Sequence, residues 1–152
     1  MSSFIRPARA GDIDALVALE AATFDYSQIG KRSFQRFLKG SSAHVFVLTA
    51  GQDSDALLGY SLMLTRKNSS VWRLYSIAVA TQARGQGVGR QLLEHALAYA
   101  RQGGASALSL EVKVDNRAAI ELYRRYDFEV VDVLTDYYPG HADGYRMRLS
   151  FT

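Results

Sequence analysis

The sequence contains no cysteine. This absence excludes disulfide bonds, thiolate metal sites and cysteine nucleophiles. The three histidines, His44, His95 and His141, lie far apart in the chain and lack the spacing of metal ligands, and no serine–histidine–acid arrangement stands out. We therefore expect no bound metal.

Long apolar runs and a strong charge excess are also lacking. No apolar stretch approaches the roughly 20 residues that a bilayer span needs, and residues 1–6 lack the charged and apolar regions of a signal peptide. We expect a cytoplasmic protein without a membrane partner. The net charge of +3 is too small for a nucleic-acid-binding signature, and a basic cofactor site also accounts for the arginines near residues 84–90 and 117–125. No nucleic-acid partner is therefore expected.

The length and the hydrophobic patterning predict one α/β domain. The 152 residues, of which 48% are hydrophobic and 22% charged, suit a single domain over residues 1–152 with one core. Apolar alternation and helical periodicity predict the elements in order. The first half has a strand at 4–6, a helix at 12–24 capped by Asp12, a loop at 25–31, a short helix capped by Ser33 and ending near Gly40, and strands at 44–49, 57–66 and 71–79 with a hairpin loop at 67–70. The second half has a helix from Gly87 to Gln102, a strand at 107–112, a helix capped by Asn116, and strands at 128–133 and 145–151.

The order of these elements predicts the sheet. A strand ending at Val79, a long helix and the strand at 107–112 form a βαβ unit, so these two strands should be parallel. The earlier strands form an antiparallel meander. We expect an α+β fold with a mixed sheet of about seven strands and about four helices.

The strongest local motif is a glycine-rich turn between a strand and the long helix, with the sequence Arg84-Gly85-Gln86-Gly87-Val88-Gly89-Arg90. A helix N-terminus has unpaired N–H groups and partial positive charge, and glycine allows close approach, so this turn suits a phosphate or pyrophosphate. The alternative is a turn that only packs the helix onto the sheet. Walker and dinucleotide motifs are excluded, because Gly89 is followed by Arg90-Gln91 and the sixth place from Gly85 is an arginine.

Three residues further along the chain could take part in chemistry. Glu111 alternates with apolar residues on its strand, so it faces away from the apolar side and could act as a base, or it could be a solvated glutamate. Tyr123 shares a helix face with Asn116 and could donate a proton to a leaving group, or it could be a core tyrosine. Asn116 is first a helix cap and second a ligand contact.

Taken together, these motifs resemble the GNAT superfamily of N-acetyltransferases. The cofactor motif of that family, Gln/Arg-x-x-Gly-x-Gly/Ala, is matched by Arg84, Gly87 and Gly89. Its second signature is matched by Leu110-Glu111-Val112, Asn116 and Ala119-Ile120-Glu121-Leu122-Tyr123. Within the superfamily the chain is most similar to ribosomal-protein-alanine N-acetyltransferases, with which it also shares Tyr137-Tyr138-Pro139 and Met147.

The resemblance implies roles for these positions. Glu111 matches the general base of that group and Tyr123 the general acid. The positions that match contacts to acetyl-CoA are Ile77, Ala78, Val79, Gly85, Gln86, Gly87, Val88, Gly89, Arg90 and Asn116, to which Arg84 is added from the cofactor motif. The implied co-substrate is acetyl-CoA, and the implied acceptor is a primary amine, with a protein or peptide N-terminal amine favoured.

Several segments depart from that group. Asp127-Phe128 stands where the group has Gly before Phe, and aspartate tolerates a left-handed turn. Phe24-Asp25-Tyr26 replaces Phe-Pro-Trp, and Ala142-Asp143-Gly144 replaces Glu-Asp-Ala, both where the acceptor would bind.

Two alternatives therefore stay open: an acetyltransferase for a small-molecule amine such as a polyamine, an amino acid or an antibiotic, and an acyl-CoA-binding module without turnover. The presence of Glu111 and Tyr123 argues against the second. The sequence leaves the identity of the acceptor and a homodimer open.

Overall fold

A computed structural model describes residues 4–24 and 29–151 of the chain. Along these residues the elements are β1 (Phe4–Pro7), a 3-10 turn (Ala10–Asp12), α1 (Ile13–Thr23), α2 (Lys31–Lys39), β2 (Ala43–Thr49), β3 (Leu57–Arg66), β4 (Ser69–Val79), a second 3-10 turn (Thr81–Ala83), α3 (Val88–Gln102), β5 (Ala107–Lys113), α4 (Arg117–Arg125), β6 (Glu129–Tyr138) and β7 (Ala142–Ser150).

The strands form one mixed sheet in the order β1-β2-β3-β4-β5-β7-β6. Strands β4 and β5 are parallel, and the other neighbours are antiparallel. The predicted fold class, the seven strands and the parallel pair around α3 are thus confirmed. Among the described residues, no helix combines the length and the apolar character that a membrane span requires.

The sheet has a helical layer on each face. Helices α1 and α2 pack over β2, β3 and β4, where Phe34 of α2 meets Tyr60 of β3 edge to face with ring centroids 5.7 Å apart. Helix α3 packs on the opposite face, where the ring centroids of Phe46 of β2 and Tyr99 of α3 are 4.8 Å apart. The core cluster on that side also contains Leu110 and other apolar side chains of β5. Glu111 therefore faces the side that carries α1 and α2.

Of two predicted helix caps, one is confirmed in position only and the other is wrong. Asp12 is the N-cap residue of α1, as predicted, but its side chain makes no capping hydrogen bond to that helix. Asp12 belongs to the first 3-10 turn, and its carboxylate accepts from the Arg9 N–H at 2.8 Å and from the guanidinium of Arg6 at 2.8 and 2.9 Å. The Arg6 partner holds the pKa of this carboxyl below its usual value. Helix α2 begins at Lys31 after Gly30, so Ser33 lies within its first turn and does not cap it.

Two predicted hairpins are tighter than expected. Ser69 already pairs with Arg66, so β4 begins two residues before the predicted strand. Tyr138 pairs with Ala142, and the positive φ angles of Gly140 (79°) and His141 (60°) turn the chain between β6 and β7. The long loop expected there is therefore a short turn. Residues 25–28 of the loop expected at 25–31 lie outside the described residues.

Other local predictions are confirmed. Asn116 caps α4, because its Oδ1 accepts from the Ala119 N–H at 3.3 Å. Asp127 has a φ of 71°, the left-handed conformation expected where the related group has glycine. Gly87 is the residue before α3, as predicted. His95 is half-buried against Phe46, and burial lowers its pKa.

Candidate active site

Strands β4 and β5 separate partway along their length. They pair only through Val71–Arg73 and Ala107–Ser109, although β4 continues to Val79 and β5 to Lys113. Beyond these pairs β5 remains bonded to β7 on its other side. The sheet therefore opens between two parallel strands, and peptide groups along the opening are available to a ligand.

Three candidate cofactor residues lie along this opening. Ile77, Ala78 and Val79 are the last residues of β4, beyond its pairing with β5. The side chain of Val79 lies close to the start of α3. If Gly89 carried a Cβ atom, that atom would be 3.6 Å from Val79 Cγ2 and 4.0 Å from Leu122 Cδ2. Gly89 thus lies where α3 meets β4 and α4, and a Cβ there would make only ordinary van der Waals contacts.

The candidate phosphate site is the N-terminus of α3. The first α-helical bond of α3 runs from the Gln91 N–H to the Gly87 carbonyl at 3.0 Å, so the N–H groups of residues 88–90 precede the helical ladder. The first turn contains no acidic residue, and the Arg90 side chain extends beside Gly87. Peptide dipoles, unbonded amides and a guanidinium together favour an anion here.

Glycine is required at two positions of this turn. Gly85 and Gly87 have φ angles of 80° and 79°, a conformation that side chains with a Cβ rarely adopt. A Cβ on Gly85 would meet nothing within 4 Å, so the surface beside it is open. Arg84 and Gln86 flank these glycines and are exposed. Of the seven residues 84–90, Val88 is buried, and the exposed ones form an open, positively charged surface suited to a pyrophosphate.

Glu111 lies in β5 beyond the last residue that pairs with β4, so it borders the opening. One carboxylate oxygen accepts from the Arg73 guanidinium of β4, and the other accepts from Arg146 Nε of β7 at 3.4 Å. Only 9% of the Glu111 side chain is exposed. The carboxylate is thus held in place at the opening by arginines from the two neighbouring strands.

Tyr123 approaches the opening from the other face of the sheet. It lies on α4 and packs against the core cluster that contains Leu110, with its ring 5.6 Å from that of Phe128. Asn116 begins the same helix and is exposed. Glu111 and Tyr123 are therefore placed on opposite faces of the sheet.

Sequence reasoning missed two groups of residues beside this opening. Arg73 and Arg146 reach Glu111 only because of the register of β4, β5 and β7, and no local pattern indicates them. Glu20 of α1 is also missed: its buried carboxylate accepts from the Tyr60 hydroxyl, from Ser76 Oγ at 2.9 Å and from the Ile29 N–H at 3.2 Å. Burial and the Glu20 charge raise the pKa of Tyr60. An acidic residue among the apolar positions of α1 is the one sequence signal for this cluster.

The described residues contain no group of three or more histidine, aspartate or glutamate side chains that could hold a metal ion.

This architecture matches that of N-acetyltransferases of known structure. The crystal structure of the ribosomal-protein-S18-alanine N-acetyltransferase from Escherichia coli matches with a TM-score of 0.87 and 27% identity, over 99% of this chain and 95% of that chain. The model of the Acetyltransferase (GNAT) family matches residues 13–128, and the chain belongs to that family.

Two relatives extend this comparison. A Mycobacterium tuberculosis protein named N-alpha-acetyltransferase RimI is 34% identical over 119 residues, which are 76% of this chain and 72% of the relative. An uncharacterized Mycobacterium leprae protein, ML0378, is 38% identical over 143 residues. This match covers 90% of the chain but only 38% of the length of that relative.

Proposed function

We propose that the chain transfers an acetyl group from acetyl-CoA to a primary amine, and that the acceptor is the N-terminal α-amine of a protein or peptide. The observation that carries this proposal is the opening between β4 and β5, which has the α3 N-terminus on one side and Glu111 on the other. The names of the Escherichia coli and Mycobacterium tuberculosis relatives support an N-terminal acceptor.

The residues of the α3 turn fit the cofactor. Unbonded amides, open space beside Gly85 and the absence of acidic residues from the first turn suit the pyrophosphate of acetyl-CoA. The residues that would hold it are those at 84–90, with Ile77–Val79 and Asn116 beside the rest of the molecule. Acetyl-CoA supplies an activated thioester. The unpaired peptide groups of β4 can orient its carbonyl in the opening.

Glu111 would prepare the acceptor on the other face. An aliphatic amine is mostly protonated at neutral pH, because its pKa resembles that of a lysine or an α-amino group. Glu111 takes this proton, directly or through a water molecule, and leaves a nitrogen lone pair that can attack. Its two arginines fix the direction of the carboxylate.

Tyr123 would assist the leaving group. The new C–N bond forms as the C–S bond breaks, and the sulfur leaves with the electron pair. The Tyr123 hydroxyl donates a proton to that sulfur. After the attack the nitrogen loses a second proton, which passes through Glu111 and solvent and reprotonates the tyrosine. The position of Tyr123 on the face covered by α3 and α4 supports this division of roles.

A matched acceptor panel tests the proposal. CoA release is measured with a peptide that has a free N-terminus, with the same peptide blocked at the N-terminus, and with a polyamine; mass spectrometry then locates the acetyl group. We expect release only when the α-amine is free, with the acetyl group on that nitrogen. Acetylation confined to oxygen, or equal turnover of the blocked peptide, would contradict the proposal.

A further inference from the structure

Four charged side chains of alternating sign cross the sheet beside the opening. Arg73 of β4, Glu111 of β5, Arg146 of β7 and Asp132 of β6 form this charge row. Register places them in sequence, because Glu111 pairs with Arg146 and Arg146 with Asp132. The row lies on the face of the sheet from which we propose that the acceptor enters.

Both guanidinium groups have donors to spare. Arg73 binds Glu111 through Nη2 alone, and its buried Nε has no hydrogen-bond partner among the described residues. Arg146 gives Nε to Glu111, while its Nη1 is 3.7 Å from Asp132, too far for a normal hydrogen bond. A guanidinium has five N–H donors, so the remaining Nη donors of both arginines are available to a ligand.

These arginines are also accessible. Their side chains are 41% and 38% exposed, whereas Glu111 between them is 9% exposed. The ring of Tyr75 lies under the Arg73 guanidinium, with 4.9 Å from Cζ to the ring centroid, and supports it from one side. An incoming ligand would therefore contact the two guanidinium groups and the Tyr75 ring before it reaches the Glu111 carboxylate.

The charge at the centre of the row is positive. Arg73, Glu111 and Arg146 sum to one positive charge, and Asp132 lies at the end of the row and is the most exposed of the four, so solvent screens its charge most. A polycation would be repelled here. An acceptor with a carboxylate a few bonds from its amine would be matched: the ammonium group faces Glu111, and the carboxylate faces the arginines.

We propose that Arg73 and Arg146 form a carboxylate-binding pair that selects acceptors with an acidic group next to the reacting amine. This inference rests on the proposed acetyl transfer and names its substrate class. The carboxylate is either the α-carboxylate of a free amino acid or the side chain of an acidic residue at the start of a peptide. Small rotations of the two side chains would let it share their unused donors while Glu111 keeps its own bonds.

Matched acceptors separate these sources. kcat/KM is measured by CoA release for peptides that begin with Glu or Gln and with Asp or Asn, and for a free amino acid and its amide. In at least one matched set, we expect kcat/KM for the acid to exceed kcat/KM for its amide by roughly ten- to a hundredfold, the scale of charge-assisted hydrogen bonds. The set that shows the difference identifies the source of the carboxylate.

Variants then assign the preference to this pair. Arg73→Gln and Arg146→Gln should each remove most of the preference for the acid, mainly through the acceptor KM, and Arg146→Lys should restore part of it. Arg148→Gln is the control, because Arg148 lies on the same strand and face but opposite Ser109, where β4 and β5 are still paired. It should keep the preference. A thermal shift with acetyl-CoA verifies that each variant is folded and binds the cofactor.

The outcomes are distinct. Equal kcat/KM for acid and amide in every set would overturn the carboxylate pair while leaving acetyl transfer intact. The pair would also be overturned if the preference survives in both Gln variants, or if Arg148→Gln loses it as fully as they do. No CoA release with any amine would overturn the proposed function and this inference together.

Discussion

The α3 N-terminus and the charge row are built in different ways. The first consists of backbone amides and glycines from one continuous segment, residues 84–90, and its geometry follows from local conformation. The second joins side chains from four strands, brought together by sheet register. The proposed cofactor region is thus encoded locally, whereas the proposed acceptor region is encoded by tertiary pairing. The two regions should respond separately to mutation.

The largest effect is expected at the centre of the charge row. Glu111→Gln keeps the shape of the side chain but cannot accept the amine proton. kcat should fall by roughly two to four powers of ten, the usual contribution of general acid–base catalysis. The affinity for acetyl-CoA, measured by calorimetry, should barely change, because the α3 turn is a separate segment.

The matched control for this variant is Glu129→Gln. Glu129 is an exposed carboxylate at the start of β6, away from the opening. Its replacement should leave kcat within about twofold, as expected for a surface substitution. Full turnover in Glu111→Gln would mean that water or the ionisation of the substrate supplies the free amine.

A smaller loss is expected from Tyr123→Phe. This change removes one hydroxyl and keeps the ring that packs on Phe128. kcat should fall by about a hundredfold, the lower end of general-acid catalysis, because a thiol ionises near pH 8.5 and can leave without full protonation. The ratio is measured by assaying the unsubstituted protein and the variant with the same acceptor. An unchanged kcat would return Tyr123 to a packing role.

The α3 N-terminus can be altered without changing the charge row. Gly87→Val forces a branched side chain into a left-handed position beside the α3 amides. We expect the affinity for acetyl-CoA to fall by about tenfold or more, the scale of lost hydrogen bonds to a charged group. The thermal shift at fixed ligand concentration should shrink accordingly.

Gly104→Val is the control for backbone strain. Gly104 follows the other end of α3, has a φ of 88° and would place its Cβ in open space. Both variants should lose about 1–2 kcal/mol of stability from the strained conformation, but only Gly87→Val should lose the acetyl-CoA shift. An equal loss of the shift in both would place the phosphates elsewhere.

The smallest effect on activity is expected at the Glu20 cluster, which joins α1 to β3 and β4, because the loss there falls on stability. Tyr60→Phe removes one donor to Glu20, but Ser76 and the Ile29 N–H remain. The free energy of unfolding in urea should fall by about 1–3 kcal/mol. Tyr137→Phe, at a side chain that is 45% exposed, should change it by less than about 0.5 kcal/mol. Equal values would show that the buried hydroxyl adds nothing.

The fold was predictable because its signals are periodic and local. Alternating apolar residues identified the strands, helical spacing identified α3, and the βαβ order fixed β4 and β5 as parallel. The errors fall at boundaries, where one contact decides the outcome. Asp12 occupies the N-cap position of α1 but its side chain binds Arg6, and the pairing of Ser69 with Arg66 shortened a hairpin.

The site was predictable only in part, because local conformation is evident from the sequence and long-range strand pairing is not. The glycines of the α3 turn were evident because positive φ angles demand them. The sequence predicted which way Glu111 faces, but not its arginines, since Arg73 and Arg146 are 38 and 35 positions away from it. The catalytic roles of Glu111 and Tyr123 and the cofactor contacts stay predictions.

One NMR titration tests the separation of the two regions most directly. Backbone amide and arginine Nε–Hε signals are followed as CoA is added first and an acidic N-terminal peptide second. We predict that CoA shifts the amides of Val88, Gly89 and Arg90, and that the peptide then shifts the Nε–Hε signals of Arg73 and Arg146. Shifts of the two arginines on addition of CoA, with the α3 amides unmoved, would contradict the account.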